Sequence, residues 1–456
     1  MKGNTSSLPD EAEAFLAAHP TVTGVDAIFS DISGIARGKR VPASDIGKLF
    51  AEGMAVPGSV CFPSVTGASQ DPEGLGFSDG DPDVTARAVP RTLTLCPWGD
   101  GHLGHVLLNL SDGDGAPYIY EPRNILRRVI ELAAARGLTP VVAFELEFYL
   151  VEVSGDGMPQ PPRAPLGGRR DGGVQVLGMS SLDEFGDVLG AIQSACAAQG
   201  IETGAMTSEY APGQFEINLA HQADALAAAD SCILFRRTVS AIARRHGLVA
   251  TFMAKPYADH AGSGQHMHVS LLSDTGENIF AGPAEPPVAG LRHAIGGTLA
   301  TMADAMAIFA PNPNAYRRFA PDLYVPVNRS WAHDNRSVAV RIPGGDDANR
   351  RIEHRVASAD ANPYLCLAAV LAGLLHGLEA TSEPPPPASG NAGAIMDPDW
   401  PRRLDSALSR LRHSTVLGEY LSADYLRLYS ACKALELETF EREINPVEYK
   451  WLLAPG

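Results

Sequence analysis

The stretch Val141-Val-Ala-Phe-Glu-Leu-Glu-Phe-Tyr-Leu150 predicts a β-strand whose two faces differ chemically. Successive side chains of a strand point to opposite sides of its sheet. Phe144 and Leu146 therefore share an apolar face, whereas Glu145 and Glu147 lie side by side on the other. Two neighbouring carboxylates on one face of an otherwise apolar strand indicate that this face has a special use.

Three further segments show the same alternation, at residues 214–219, 266–271 and 351–355. One such strand is typical of any antiparallel sheet with a solvated face. Four strands whose polar faces carry Glu and His, rather than Lys, Thr and Ser, favour a shared polar surface instead. We therefore expect a curved antiparallel sheet with a polar concave face and with helices covering its apolar face. The polar positions of the three segments are Glu216, Asn218, His266, His268, Ser270, Glu353 and Arg355.

Five glutamates are expected to meet in this concave face, and together they would repel one another unless cations were bound. Oxygen ligands with a single imidazole suit Mg²⁺ or Mn²⁺ better than Zn²⁺, which prefers Cys and His. Mg²⁺ held by carboxylates is typical of phosphate chemistry. The five residues are Glu145, Glu147, Glu209, Glu216 and Glu353.

A cluster of arginines between residues 317 and 341 supplies the complementary charge. Guanidinium groups bind phosphate and carboxylate oxygens in pairs. A nucleic-acid surface and a solvated run of charges are the alternatives. The formal net charge of −17 argues against the first, and the aromatic residues interleaved with the arginines argue against the second. Metals beside arginines indicate phosphoryl transfer, although no P-loop motif is present. The cluster consists of Arg317, Arg318, Arg329, Arg336 and Arg341.

The 456 residues, 45% of them hydrophobic, are enough for two or three domains. Short apolar runs separated by Gly and Pro predict a β-rich domain over residues 1–112, followed by a larger domain over 113–456. Helical periodicity is found in the second part of the chain. It predicts helices at residues 122–137, 183–199, 222–246 and 289–309.

The sequence shows no apolar leader and no long apolar run, which predicts neither a signal peptide nor a membrane span. None of the six cysteines forms a CxxC pair, so buried reduced thiols are expected. Together these features indicate a cytoplasmic protein that binds neither nucleic acid nor a membrane.

Several motifs resemble those of the glutamine synthetase superfamily, in the order and spacing of that family from about residue 25 to residue 450. Within it, the chain is most similar to the γ-glutamylamine branch. The motifs are Phe144-Glu-Leu-Glu147, Glu209-Tyr-Ala-Pro-Gly-Gln-Phe-Glu216, Gly262-Ser-Gly-Gln-His-Met-His-Val-Ser270, Asn335-Arg-Ser-Val-Ala-Val-Arg-Ile-Pro343 and Arg351-Ile-Glu-His-Arg355.

The resemblance implies an α+β fold, with a small N-terminal β-grasp domain before a catalytic domain whose curved antiparallel sheet is backed by helices. It also implies a homo-oligomer of two stacked rings, commonly a dodecamer. The implied activity is an ATP-dependent and Mg²⁺- or Mn²⁺-dependent ligase that joins the γ-carboxylate of glutamate to an amine through γ-glutamyl phosphate.

The resemblance also implies roles for individual residues. One metal is assigned to Glu147, Glu209 and Glu216, and the other to Glu145, His266 and Glu353. Glutamate is assigned to Gly262, Arg318 and Arg355, and the ATP phosphates to Arg336 and Arg341, with His268 and Ser270 near the nucleotide. Catalytic roles are assigned to Arg318 and Arg336, and to Glu209 and Asp31 as candidate proton acceptors, with Asp31 entering from a neighbouring subunit.

Two positions depart from the pattern of relatives that use ammonia. Tyr324 stands where those relatives carry Glu, and Ala261 stands where they carry Asn. A tyrosine cannot serve as a counter-ion for ammonium, but it can line a pocket for the carbon chain of an amine. We therefore expect an organic primary amine, putrescine or another polyamine, as the substrate. The alternatives are a glutamine synthetase that uses ammonia and a catalytically silent regulator. All six metal positions are occupied by ligating residues, which disfavours the silent regulator.

Overall fold

The computed structural model describes residues 8–168, 170, 173–174 and 176–454. Six strands form an N-terminal sheet in the order β2-β1-β6-β4-β3, with β5 paired to β6. These strands are β1 (Gly24–Ser30), β2 (Ala36–Pro42), β3 (Met54–Pro57), β4 (Asp83–Ala88), β5 (Thr94–Leu95) and β6 (Leu103–Ser111).

Strand β1 is an inner strand of this sheet and is buried along its whole length. It pairs antiparallel with β2 and parallel with β6. Two helices accompany the sheet, α1 (Leu8–Ala18) and α2 (Ile46–Ala51), and α2 buries Ile46, Leu49 and Phe50. This mixed sheet with its short helices is the arrangement expected of a β-grasp domain.

Nine strands form the second sheet, in the order β13-β14-β15-β12-β7-β10-β9, with β8 and β11 also paired to β7. All its pairs are antiparallel except β13 with β14. The strands are β7 (Thr139–Val153), β8 (Pro159–Gln160), β9 (Thr203–Ser208), β10 (Gln214–Leu219), β11 (Val249–Thr251), β12 (Gln265–Leu272), β13 (Trp331–His333), β14 (Val340–Ile342) and β15 (Ile352–His354).

Helices cover one face of the nine-stranded sheet. The longest helix of the described residues, α6 (Ala225–Arg245), packs against α9 (Pro363–Glu379) and against β7. The helices are α3 (Pro122–Ala134), α4 (Met179–Glu184), α5 (Gly186–Ala197), α6 (Ala225–Arg245), α7 (Ala289–Met302), α8 (Met306–Phe309), α9 (Pro363–Glu379), α10 (Leu404–His413), α11 (Thr415–Leu421), α12 (Ala423–Glu441) and α13 (Pro446–Leu452). The predicted α+β class and the antiparallel-rich sheet backed by helices are confirmed.

The alternation predicted for β7 sets which residues face the helices. Phe144, Leu146 and Phe148 are at most 1% exposed, whereas Glu145 and Glu147 are only partly buried. Moving an apolar side chain out of water lowers the free energy of the protein. The helices therefore pack against the apolar face. The carboxylates therefore remain on the open face.

The predicted helices lie close to the observed ones, with two interruptions. The segment predicted at 183–199 is split between α4 and α5 at Phe185, and the segment at 289–309 is split between α7 and α8. At the second break, Ala305 N–H is shared between the carbonyls of Thr301 and Met302, which ends the regular helical bonding.

The domain boundary predicted after residue 112 lies between the end of β6 at Ser111 and the start of α3 at Pro122, and the division itself stays a prediction. In the part of the chain that is described, no helix combines the length and hydropathy needed to span a membrane. All six cysteines are buried and unpaired, as the sequence predicts.

Candidate active site

Strand register assembles the polar face into a continuous row of ionisable groups. Glu147 lies directly opposite Glu216 across the β7–β10 ladder. On the other side of β7, Glu145 lies opposite His266 of β12. One strand further, Glu353 pairs with both His268 and Arg341. Residues far apart in the sequence thus become neighbours because five strands, β10, β7, β12, β15 and β14, align their polar positions.

Two histidines hold the carboxylate of Glu145. Its Oε1 lies 2.8 Å from Nε2 of His268, and its Oε2 lies 3.2 Å from Nδ1 of His266. Arg351 Nε donates to Nδ1 of His268 at 3.1 Å, so the neutral ring carries its proton on Nε2 and donates it to Glu145. Burial raises the pKa of Glu145, but the two imidazole bonds outweigh burial and hold the pKa far below its ordinary value.

Two groups of ligand atoms on this face fit a metal ion. Glu145, His266 and Glu353 form one group, and Glu147, Glu216 and His266 form the other, with the atoms of each group within 4.8 Å of one another. Carboxylates with a single imidazole form a donor set suited to Mg²⁺ or Mn²⁺. The first group is the triad implied by the family resemblance. The second contains two of the three residues implied for the other metal, with His266 in place of Glu209.

The carboxylates that lack a histidine partner are strained electrostatically. Burial, reinforced by Glu145 and Glu147, raises the pKa of Glu216 to about 9. Burial and the same two carboxylates raise the pKa of Glu209 to about 7, against the opposing influence of Arg336. A bound cation would relieve this repulsion, because it favours the ionised form of every carboxylate nearby.

Three arginines at this face have buried Nε groups that find no hydrogen-bond acceptor among the described residues: Arg318, Arg341 and Arg355. Each of these arginines has at least one other nitrogen in a hydrogen bond. Arg341 and Arg355 both bind Glu353, and Arg318 Nη1 donates to the carbonyl of Val356 at 3.2 Å. A buried N–H without an acceptor is costly, so these groups fit a bound anionic ligand that would accept from them.

Gly262 and Gly264 leave the space that Arg318 occupies. A Cβ atom on Gly262 would lie 2.5 Å from Cγ of Arg318 and 2.7 Å from the carbonyl oxygen of Ala254. The backbone N–H of Gly264 donates to Oε2 of Glu147 at 2.8 Å. This glycine-containing loop therefore joins a predicted glutamate-binding arginine to a predicted metal ligand.

Asp31 lies elsewhere, within the N-terminal sheet domain of its own chain. Its side chain is fully buried, and Oδ1 accepts from the backbone N–H groups of Ser33 and Ile35 while Oδ2 accepts from Arg37. Asn362 donates to its carbonyl at 2.9 Å. These bonds give Asp31 a structural role in a turn. To act at the active site of a neighbouring subunit, as predicted, the carboxylate would have to break its hydrogen bonds to Ser33, Ile35 and Arg37.

The remaining predicted residues surround the row less tightly. Ser270 lies on the same strand as His268 and is half-buried, and Arg336 is exposed but acts electrostatically on Glu209. Tyr324 is 66% exposed, on the segment between Arg318 and β13. Within this chain the ring of Tyr324 is therefore open to solvent, and its predicted role toward the amine stays a prediction.

Three polar residues at the site had no role assigned from the sequence. Gln214 Nε2 donates to the carbonyl of Gly262 at 3.1 Å, and Asn218 Nδ2 donates to Oε1 of Glu145 at 3.2 Å. Arg351 binds His268, as described above. Gln214 and Arg351 belong to the quoted motifs. Period-two alternation had placed Asn218 on the polar face of its strand, but without a role.

Comparisons with known proteins agree on one family. Residues 119–452 match the glutamine synthetase catalytic domain. Over 450 residues the chain is 41% identical to γ-glutamylputrescine synthetase PuuA of Escherichia coli (strain K12). This match covers 98% of this chain and 95% of that protein. Over 439 residues it is 32% identical to glutamate–isopropylamine ligase of a Pseudomonas species, which covers 93% and 92%.

A solved structure agrees with the sequence matches. The complex of GmaS with ADP, in its conformation 1, has a TM-score of 0.84 and 26% identity to this chain, and covers 98% of this chain and 99% of that one. The resemblance found from the motifs is thus confirmed over nearly the whole sequence. The chain belongs to the glutamine synthetase family, and it is a ligase that uses ATP to form a carbon–nitrogen bond.

Proposed function

We propose that the enzyme joins the γ-carboxylate of L-glutamate to an organic primary amine, with putrescine or another polyamine as the preferred substrate. The observation that carries this proposal is Tyr324 at the position where relatives that use ammonia carry Glu, in a chain that keeps the metal-ligating and arginine residues of the family. Two relatives whose names specify an organic amine, γ-glutamylputrescine synthetase and glutamate–isopropylamine ligase, support it.

The first step needs glutamate and the terminal phosphate of ATP to be held together. Arg318 and Arg355, each with a free buried Nε, are suited to bind the carboxylates of glutamate. Arg336 and Arg341, with His268 and Ser270, are suited to bind ATP, and we add Arg351 to this group because it contacts His268. The γ-carboxylate oxygen attacks the terminal phosphorus, ADP leaves, and γ-glutamyl phosphate forms.

Mg²⁺ or Mn²⁺ held by the two glutamate and histidine groups would supply positive charge against the phosphates. The chain's own residues orient the carboxylate, since Gly262 and Gly264 leave room for Arg318, and Glu147 holds Gly264. Buried arginines around the reacting phosphoryl group also offset the charge that develops in the transition state.

The second step needs a neutral amine. The amine nitrogen attacks the acyl carbon of γ-glutamyl phosphate, the bond from that carbon to the phosphate oxygen breaks, and phosphate leaves. A protonated amine has no lone pair, so it must first lose a proton. Burial with the nearby Glu147 raises the pKa of Glu209 to about 7, which suits a residue that accepts and releases a proton near neutral pH.

The acidic face also favours a cationic substrate over a neutral one. A diamine brings a second ammonium group and a carbon chain, and each buried CH₂ contributes about 0.8 kcal/mol. Ammonia offers neither.

We also propose that the active enzyme is a homo-oligomer of two stacked rings. Light scattering coupled to size-exclusion chromatography would measure the mass of this assembly.

The test is glutamate- and ATP-dependent phosphate release with ammonium chloride, putrescine, longer polyamines, ethanolamine, isopropylamine and aniline. We expect an organic amine to exceed ammonia in kcat/KM by at least about 100-fold, roughly 2.7 kcal/mol of transition-state binding. Mass spectrometry should detect the matching γ-glutamyl amide. Equal or better activity with ammonia would contradict the proposal and identify a glutamine synthetase.

A further inference from the structure

The loop over residues 254–263 carries Gly262 and is closed at its base. Ser263 N–H donates to the carbonyl of Ala254 at 2.9 Å, so the two ends of the loop lie side by side. Ala359 N–H donates to the carbonyl of Ser263 at 3.0 Å and joins this base to the segment that follows β15. The base is therefore rigid, and the positions between its ends depend on other anchors.

One flank of the loop is held by Asn314. Its Oδ1 accepts from Lys255 N–H at 2.8 Å, and its Nδ2 donates to the Lys255 carbonyl at 2.9 Å. The other flank is held by Tyr149, whose hydroxyl donates to the carbonyl of Ala261 at 2.6 Å. Tyr149 reaches this carbonyl from β7, two residues beyond Glu147 on the same face of the strand.

The Ala261 carbonyl belongs to the peptide unit that enters Gly262. Gly262 has almost no free space, because even a Cβ atom would clash with Arg318 and with the Ala254 carbonyl. A rotation of this peptide unit would therefore move Gly262 against Arg318. The Tyr149 hydroxyl holds the carbonyl of this peptide unit, and Gln214 Nε2 holds the next carbonyl, that of Gly262.

Tyr149 and Tyr257 are neighbouring tyrosines whose hydroxyl groups differ in their hydrogen bonding. The rings of Tyr149 and Tyr257 meet edge to face with centroids 5.5 Å apart. Burial raises the pKa of Tyr149, so its phenol keeps the proton that it donates. The hydroxyl of Tyr257 is also buried, but it has no hydrogen-bond partner among the described residues.

We propose that Tyr149 is a positioning residue for glutamate, and that its hydroxyl fixes the Ala261–Gly262 peptide so that Arg318 meets the substrate carboxylate. The identity of the ligand rests on the function proposed above. The role is confined to binding, because Tyr149 touches the loop rather than the reacting groups.

The test compares Tyr149→Phe with Tyr257→Phe in the full-length enzyme, since each removes one hydroxyl and keeps the ring. We expect Tyr149→Phe to raise the KM for glutamate about tenfold, the scale of one lost hydrogen bond, with kcat and the KM for ATP changed less than about twofold. Tyr257→Phe should change none of the three. A loss of kcat at constant KM in Tyr149→Phe, or equal effects in both variants, would overturn the positioning role.

Hydrogen exchange of the loop, measured by mass spectrometry without substrates, provides a second readout that does not require activity. Residues 255–264 should exchange faster in Tyr149→Phe than in wild type, and at the wild-type rate in Tyr257→Phe. Unchanged exchange in Tyr149→Phe would overturn the inference. A wild-type enzyme that neither binds nor consumes glutamate would instead overturn the proposed function, while the exchange rates would still report on the Tyr149 bond.

Discussion

Glu147 and Glu216 lie directly opposite each other on adjacent strands, both on the polar face of the nine-stranded sheet. Like charges in directly opposed positions destabilise a sheet. The pair is therefore expected in a sheet that gains a cation there, and the same two residues form a metal-sized group with His266. Because a bound cation would relieve the repulsion between the two carboxylates, metal binding should raise the stability of the folded protein, and stability measurements can report on it.

Metal-free protein should lose stability as the pH rises, because the pKa of Glu216 in the folded state is about 9 whereas the ordinary value is 4.5. Between these values the folded protein retains a proton that the unfolded chain has released. This contribution to stability is complete below about pH 4.5 and is lost as the pH rises through about 9. Thermal denaturation in EDTA at pH 6 and pH 8.5 measures the effect. Added Mg²⁺ should raise Tm more at the higher pH.

Glu216→Gln should reduce this pH dependence and lower turnover by at least about 100-fold, roughly 2.7 kcal/mol of transition-state stabilisation. Glu202→Gln, at an exposed carboxylate just before β9, is the control and should change neither property. Near-normal turnover of Glu216→Gln at ordinary Mg²⁺ concentrations would show that Glu216 is not a metal ligand.

Tyr324→Glu should narrow the difference between an organic amine and ammonia, because it restores a carboxylate where the exposed ring now stands. We expect the ratio of the two kcat/KM values to fall by about tenfold, or roughly 1.4 kcal/mol. Tyr324→Phe keeps the ring and should preserve the ratio. The two variants are compared by phosphate release with putrescine and with ammonium chloride. An unchanged ratio in Tyr324→Glu would place amine selection elsewhere.

Asp31→Ala should destabilise the protein by about 2 kcal/mol, because Ser33, Ile35 and Arg37 would lose the carboxylate that accepts from them. Urea denaturation measures this loss, with Asp83→Ala on an exposed position of β4 as the control.

The predicted catalytic role is tested by mixing Asp31→Ala subunits with Glu353→Ala subunits. Recovered activity would show that Asp31 completes a site across a subunit boundary.

Glu121→Gln should increase stability at alkaline pH. Glu121 is 1% exposed, its Oε2 accepts from Leu110 N–H at 2.9 Å, and burial raises its pKa to about 8. Between about pH 4.5 and 8 the folded protein keeps the proton of Glu121, whereas the unfolded chain has released it. The contribution of this proton to the free energy of unfolding is complete below about pH 4.5 and is lost as the pH rises through 8. A neutral glutamine amide has no proton to lose, so it avoids this loss. We expect a gain on the order of 1–3 kcal/mol at pH 9 in urea denaturation with metal present. Glu131→Gln, exposed on the same helix, is the control, and an equal response of both variants would contradict the assignment.

Strand alternation was the most informative part of the sequence. The residues of β7 that face the helices and those that lie on the open polar face follow from a period of two, because the pleat of a strand leaves no other choice. The predicted triad of Glu145, His266 and Glu353 was gathered in space as the family resemblance implied. The arginine cluster was visible for a different reason, since five guanidinium groups close together in an acidic chain indicate an anionic ligand.

Tertiary structure decided which of these residues meet. Alternation assigns a face but not a register, so the sequence alone left open that Glu216 would oppose Glu147 and that His266 would belong to both ligand groups. The bond from Asn362 to Asp31 and the bond from Tyr149 to Ala261 likewise join positions far apart in the chain. Such contacts depend on how strands order themselves and on how loops close over them, which is a property of the whole packed core. Local periodicity and composition therefore determined the chemistry available to this protein, and packing at long range determined the geometry in which it is used.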